Sequence, residues 1–288
     1  MRMDIRFANK APMNAPVRED CQMPLGHYFA AAAESQDELV RLRLLEDQCD
    51  PDTHRYLDAV GVGPGWRCLE VGAGAGALVR WLSDRVGPLG QVVAADINPK
   101  YLGDLPEANV EVRRCDITVD DLEPESYDLV HCRFLLMHLD DPAAALRRMF
   151  AALRPGGWLI AEEPDNDVAG SADFAHPLSG LFDTCYRKRV EFAAAATITD
   201  LRFGKVLPQY IEACGLTDIA NEGVARVFHG GDPFSRMWIK TWERIDDAVV
   251  ASGILSAWEV AEMRRAYEDP TFTYRAQLTQ AVWGRKPL

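Results

Sequence analysis

Three carboxylates and three glycines stand where the chain's chemistry is most legible. Glu70, Asp96 and Asp116 each sit at or just beyond the end of a short strand-like run: Arg67-Cys68-Leu69-Glu70-Val71, Gln91-Val92-Val93-Ala94-Ala95, and Val110-Glu111-Val112-Arg113-Arg114. The first run leads into Gly72-Ala73-Gly74-Ala75-Gly76, and a helical pattern begins there. Glycines between a strand and a helix let the chain turn sharply and let backbone N–H groups meet a ligand. The loop alone has more than one reading. Gly72, Gly74 and Ala77 also satisfy the G-x-G-x-x-A dinucleotide fingerprint, and a glycine turn can exist with no ligand at all. The acids bear on the choice. A carboxylate at Glu70 would repel a pyrophosphate but suits a cationic amino group. Asp96 could accept hydrogen bonds from both hydroxyls of a ribose, and Asp116 from the exocyclic amine of adenine. Acids at three successive strand ends fit an adenosine carrying an ammonium group, with no phosphate to hold.

Such a site needs strands whose ends lie side by side. From Trp66 onward, short apolar runs alternate with helical patterns, which predicts right-handed βαβ crossovers and a mostly parallel sheet. Further strands are predicted at Tyr127–Cys132 and Trp158–Ala161. Helices are predicted over Gly76–Val86 and Pro142–Leu153, the second stopped by Pro155-Gly156-Gly157. Upstream, about 25 residues with Pro12, Pro16 and Pro24 read as an arm. Residues Phe29–Val60 read as helical, with Asp52 after Pro51 capping a second helix. After Pro164 the rhythm is lost. Helices are expected at Leu178–Phe192, Gly204–Cys214, Pro233–Ala251 and Ser256–Glu268, and strands at Thr217–Val227 and Thr273–Trp283. The organisation expected is an arm with helices over 1–60, a ligand-binding core over 61–165, and helical lid insertions with the final strands over 166–288. Segments 166–204 and 232–270 would form the lid.

With those residues in place, the chain resembles the class I S-adenosylmethionine-dependent methyltransferases. The matching segments are Glu70-x-Gly72-x-Gly74-x-Gly76, Asp96 after Val92-Val93-Ala94-Ala95, Arg114-Cys115-Asp116-Ile117, Tyr127-Asp128-Leu129-Val130-His131-Cys132-Arg133 and Leu153-Arg154-Pro155-Gly156-Gly157-Trp158. They occur in the family's order and cover residues 66–165, somewhat over a third of the chain. The likeness is to bacterial small-molecule enzymes of the ubiquinone/menaquinone-biosynthesis type, which also act on secondary metabolites. It implies an α/β, Rossmann-like, seven-stranded, mostly parallel sheet whose last strand, here Thr273–Trp283, is antiparallel. It implies S-adenosyl-L-methionine as cofactor and S-adenosyl-L-homocysteine as product. By position, Gly72, Ala73 and Gly74 would pass the methionine moiety, and Glu70 would sit near its ammonium. Asp96, Ile97 and Asn98 would hold the ribose, and Asp116 and Ile117 would flank the adenine. Cys132 and Arg133 would lie near the methionine end. Core packing is the competing reading for Ile97 and Ile117, and turn capping for Asp116.

Methyl transfer from a sulfonium is an in-line displacement, so orientation can supply much of the catalysis. An oxygen or nitrogen nucleophile also has a proton to lose. His138, just past the fourth strand, is the candidate catalytic base; lining the pocket without proton transfer is its alternative role. His131, inside the strand, reads as a buried hydrogen-bonded residue. Glu162, Glu163 and Asp165, after the fifth strand, could face a substrate or solvent. His27 and Tyr28 could fold over the cofactor. The lid tryptophans, Trp238, Trp242 and Trp258 among them, read as core more readily than as a substrate cage.

Among 288 residues, 44 acidic and 31 basic side chains give a net charge of −13. That charge disfavours a nucleic-acid partner, and the longest basic run is Arg187-Lys188-Arg189. No apolar stretch reaches membrane-spanning length, and the first residues lack a signal-peptide pattern. Seven single cysteines with no metal-ligand spacing read as reduced thiols of a cytoplasmic protein. The expectation is therefore a cytoplasmic O-methyltransferase with a small-molecule acceptor, no metal, no nucleic-acid or membrane partner, and a homodimer left open. Two alternatives stand beside it: an NAD(P)-dependent oxidoreductase, for which no Tyr-x-x-x-Lys pair exists, and a catalytically inactive cofactor-binding or scaffold protein.

Overall fold

A computed structural model describes residues 36–103 and 105–288. The expected arm, with His27 and Tyr28, lies outside the described residues.

The first element is helix α1, Gln36–Val60. It runs unbroken through Pro51, so the expected second helix capped by Asp52 does not form. Proline removes one backbone donor from the ladder, but the turn that follows it is anchored from outside: Tyr56 and Leu57 are buried, Thr53 donates to Glu162 at 2.6 Å, and Asp52 pairs with Arg226 at 2.6 Å. Then come β1 (Arg67–Val71), α2 (Ala77–Val86), β2 (Gln91–Asp96), β3 (Val110–Arg114), β4 (Tyr127–Arg133), α3 (Pro142–Ala152) and β5 (Leu153–Asp165). Strand β5 has 13 residues, far longer than the run over Trp158–Ala161. Its Pro-Gly-Gly start ends α3 as expected, yet already belongs to the sheet: Gly156 N donates to Lys286 O at 2.9 Å and Lys286 N to Gly157 O at 2.8 Å.

The second half comprises β6 (Gly170–Ser171), α4 (Ser179–Ala195), α5 (Leu207–Ala213), β7 (Thr217–His229), α6 (Pro233–Trp242), α7 (Asp246–Ala251), α8 (Ala257–Glu268) and β8 (Thr273–Arg285). The single helix expected over Pro233–Ala251 is two. Helix α8 starts on a capping box, Ser256 Oγ accepting from Glu259 N while the Glu259 carboxylate accepts from Ser256 N.

The sheet has eight strands in the order β3-β2-β1-β4-β5-β8-β6, with β7 also paired to β8. Strands β1 to β5 are mutually parallel, and β8 runs antiparallel to β5, β6 and β7. The Rossmann-like expectation of an antiparallel last strand holds; the eighth strand is the two-residue β6, continuing the line of β5 along β8. Apolar layers cover both faces. Tyr56 and Leu57 of α1 with Leu78, Val79 and Leu82 of α2 pack on one, and Leu146 and Met149 of α3 with Leu207 and Ile211 of α5 on the other. The lid helices have a separate aromatic core in which Phe182, Tyr186, Trp238, Trp242, Tyr267, Phe272 and Tyr274 are buried. Trp258 is exposed. No helix among the described residues is long and apolar enough to cross a membrane.

Candidate functional site

The parallel register sets the site. Glu70 is aligned with Ala94 on one side and His131 on the other, so β1, β2 and β4 end at one level. Beyond β1 the chain turns through Gly72, Gly74 and Gly76, whose φ values are +79°, +58° and +84°. Side chains are strained in that region, which is why the sequence alternates glycine there. Asp96 closes the loop from β2: its Oδ2 accepts from Gly74 N at 3.2 Å and its Oδ1 from Asn98 N at 2.8 Å. Burial raises the Asp96 pKa, and these two N–H donors oppose that rise. A carboxylate has about four acceptor positions, so capacity remains for hydroxyl donors. Ile97, 60% exposed beside it, offers an uncovered apolar surface.

A residue missed from the sequence reaches the same loop. Glu46 of α1 places Oε1 2.9 Å from Ala75 N and 3.5 Å from Ala77 N. A Cβ on Gly74 would stand 3.4 Å from that oxygen. Burial lifts the Glu46 pKa to about 7, with Asp50 adding to the rise and Arg133 and the two amides opposing it. A lone glutamate in a helical stretch carries no motif; only the packing of α1 reveals it.

Glu70 is engaged by a neighbouring strand. Its Oε2 lies 2.6 Å from His131 Nδ1, and His131 Nε2 lies 3.0 Å from Glu162 Oε1. Thr53 donates to the same Glu162 oxygen at 2.6 Å, while Arg133 donates to Thr53 Oγ1 and to Asp50 Oδ1, each at 2.7 Å. Glu70, His131 and Glu162 are all buried. Burial pulls the His131 pKa down, but the two carboxylates outweigh it and hold it up at about 9. Burial raises Glu70, and the His131 charge opposes this. Glu70 and Arg133, expected at the methionine end, are therefore partners within a network that binds α1 to the sheet. His131 is buried and hydrogen-bonded, as its place inside the strand predicts, whereas Thr53 and Asp50 carry no sequence signal for their part in the network.

The other expected residues divide. Cys132 has its thiol in the core on the sheet's opposite face, and Ile117 is also core. Ala73 is buried. Asp116 Oδ1 accepts from Thr118 N at 2.9 Å and Thr118 Oγ1 at 2.6 Å, the turn-capping arrangement. Glu162 and Glu163 are buried, and Asp165 is half-buried at the strand end. Glu163 accepts from the backbone N–H groups of Leu135, Leu136 and Met137 at 3.0, 2.6 and 3.3 Å, and Asp165 caps the turn at Asn166–Val168. Glu163 thereby fixes the short 3₁₀ turn Leu136–His138, entered through Phe134 at φ +53°. His138 keeps accessible surface at the end of that turn. Its surroundings are nonetheless desolvating and, with the Arg41 charge, push its pKa down to about 4. The lid touches the turn directly, Asp200 N donating to Met137 O at 2.8 Å and Thr199 Oγ1 at 3.2 Å.

A family model described as a methyltransferase domain matches residues 29–225. The chain belongs to the methyltransferase-domain family. Within that family, it is 31% identical over 164 residues to methyltransferase str2 of Strobilurus tenacellus, covering 54% of this chain and 55% of the relative. It is 35% identical over 136 residues to the ubiquinone/menaquinone biosynthesis C-methyltransferase UbiE of Vibrio cholerae, covering 44% and 50%. The matched region thus spans about half the length of the curated relatives. Among solved structures, a putative methyltransferase from Bacillus halodurans superposes with a TM-score of 0.54 at 17% identity, covering 83% of this chain and 100% of that one. Phosphoethanolamine N-methyltransferase 2 of Haemonchus contortus, solved with S-adenosyl-L-methionine, gives 0.51 at 18%, covering 83% and 53%. At those identities the structures establish the shared methyltransferase fold.

Proposed function

We propose that this protein transfers a methyl group from S-adenosyl-L-methionine to a small organic acceptor, with a hydroxyl oxygen as the atom methylated. The observation that carries the reading is the cradle of Gly72, Gly74 and Asp96. Left-handed glycines leave room for an approaching chain, and a half-engaged carboxylate stands beside the exposed Ile97. These residues fit an adenosine with an amino-acid tail: Asp96 for the ribose hydroxyls, Ile97 for the apolar face, and the glycine loop for the methionine backbone. Asp116 retains a second carboxylate oxygen for an adenine amine.

Bound there, the cofactor would supply a methyl group already activated by its sulfonium charge. The work left to the protein is orientation, exclusion of water and disposal of a proton. Glu163 holds the Leu136–His138 turn at the strand ends, and the Thr199–Asp200 segment packs on it, so lid and turn are one unit. His138 is neutral at pH 7 and can accept a proton, though its lowered pKa makes it a weak base. Single, mostly buried cysteines support a reducing cytoplasmic setting, and the net charge supports an acceptor other than nucleic acid.

The named relatives differ in the atom they modify, carbon for UbiE and nitrogen for the phosphoethanolamine enzyme, so the atom needs its own test. Calorimetry with S-adenosyl-L-homocysteine and NADH should show binding of the first alone. Isotopically labelled methyl transfer to a panel of hydroxylated, aminated and activated-carbon acceptors should then label the hydroxylated compounds. Binding of NADH alone would overturn the reading, and labelling confined to carbon or nitrogen would overturn the choice of oxygen.

A further inference from the structure

The acid nearest the glycine loop in sequence is Glu70, yet its carboxylate is engaged with His131, 2.6 Å away. The acid nearest the loop in space is Glu46, delivered by α1. Its Oε1 is bonded to the Ala75 amide and lies against Gly74, on the loop segment that Asp96 holds through Gly74 N. It is buried with about four acceptor positions, of which the described donors, Ala75 N and Ala77 N, occupy only those of Oε1.

We infer that Glu46 is a cofactor-binding residue that receives the α-ammonium group of the methionine moiety, the role that sequence position alone would give to Glu70. This rests on the reading of the site as a cradle for S-adenosyl-L-methionine. A carboxylate in a partly desolvated pocket gains most from a cationic partner, and the ammonium donates three hydrogen bonds where Glu46 offers unused lone pairs. The charges bearing on Glu46 are Asp50 on its own helix and Arg133 from β4, with Asp96 at the neighbouring Gly74 amide. A cation would relieve the repulsion between Glu46 and Asp50. Because Glu46 titrates at about 7, affinity for the ammonium-bearing ligand should tighten by roughly tenfold between pH 6 and pH 8.

The test compares two ligands in the full-length protein by calorimetry. S-Adenosyl-L-homocysteine carries the amino-acid moiety; 5′-methylthioadenosine has the same nucleoside and lacks it. Glu46→Gln keeps an oxygen for the Ala75 amide and removes the charge. It should weaken S-adenosyl-L-homocysteine binding by about tenfold or more at pH 8 and abolish the pH dependence, while methylthioadenosine affinity stays the same. Glu46→Asp, which retains the charge but shortens its reach, should also weaken only the homocysteine ligand, and it serves if the glutamine variant does not fold. Equal losses for both ligands would show that Glu46 merely shapes the loop; unchanged or tighter homocysteine binding would show that it does not meet the ammonium. Either result overturns the inference. If the unmodified protein binds neither ligand, the cofactor reading fails, and this inference with it.

Discussion

Glu70 Oε2 and His131 Nδ1 lie 2.6 Å apart at the register point where β1 and β4 pair. This contact joins two parallel strands under α1, and it extends through Glu162 to Thr53. The raised His131 pKa couples it to stability. A histidine whose folded pKa lies above the unfolded value near 6.5 contributes stability that is fully present below about pH 6.5 and is lost as pH rises through about 9. The melting temperature should therefore fall across that window. His131→Ala, leaving two buried carboxylates without their shared partner, should cost about 3–5 kcal/mol at pH 7. Thermal melts of both proteins from pH 6 to pH 10 check this. A mutant with the same alkaline slope as the parent would show that another group sets it.

How much of this was legible beforehand follows from the range of each interaction. Strand ends, the glycine loop and Asp96 are local: an apolar run, a break and a carboxylate within a few residues declare them. The destination of Glu70 is not local. Its partner is 61 residues away, Thr53 and Glu162 are 109 apart, and Arg133 and Asp50 are 83 apart. Such pairs leave no periodic trace. The α1 helix shows the same limit, because Pro51 reads as a break on local grounds and is overridden by the burial of Tyr56 and Leu57 and by the distant bond from Thr53 to Glu162. Trp238 and Trp242 were legible as core, since large aromatics in amphipathic helices bury themselves, but Trp258, read the same way, is exposed on α8.

Asp96 joins the loop to β2 and is the proposed ribose acceptor. Asp96→Ala should weaken S-adenosyl-L-homocysteine binding by about 1.5–3 kcal/mol, the range for a hydrogen bond to a charged group. Calorimetry on a variant with native circular dichroism measures it. Unchanged affinity would remove Asp96 from the site.

Gly74 tests the loop itself. At φ +58° a β-branched residue is strained, and its Cβ would approach Glu46 Oε1 to 3.4 Å. Gly74→Val should abolish cofactor binding by filling the space beside the amides. A folded variant that still binds S-adenosyl-L-homocysteine within about twofold of the parent, a difference of less than half a kcal/mol, would place the cofactor elsewhere.

His138 separates proton transfer from positioning. With its pKa pushed to about 4, the imidazole is neutral throughout the range from pH 5.5 to 8, so its titration should put no inflection near 6.5 in the turnover profile. If it accepts the acceptor's proton, His138→Ala should lower kcat by about 10²–10⁴ and leave S-adenosyl-L-homocysteine affinity intact. The Brønsted relation puts a base this weak at the lower end of that range. His138→Gln preserves hydrogen bonding without comparable basicity, so it should fail to restore the rate if proton transfer is the role and should restore it if positioning is. A fall in cofactor affinity with kcat unchanged would assign His138 to the pocket wall and leave the proton to water. Measuring kcat and affinity for both variants at pH 7 decides between these roles, because Glu163 holds the turn through backbone amides and neither substitution disturbs those bonds.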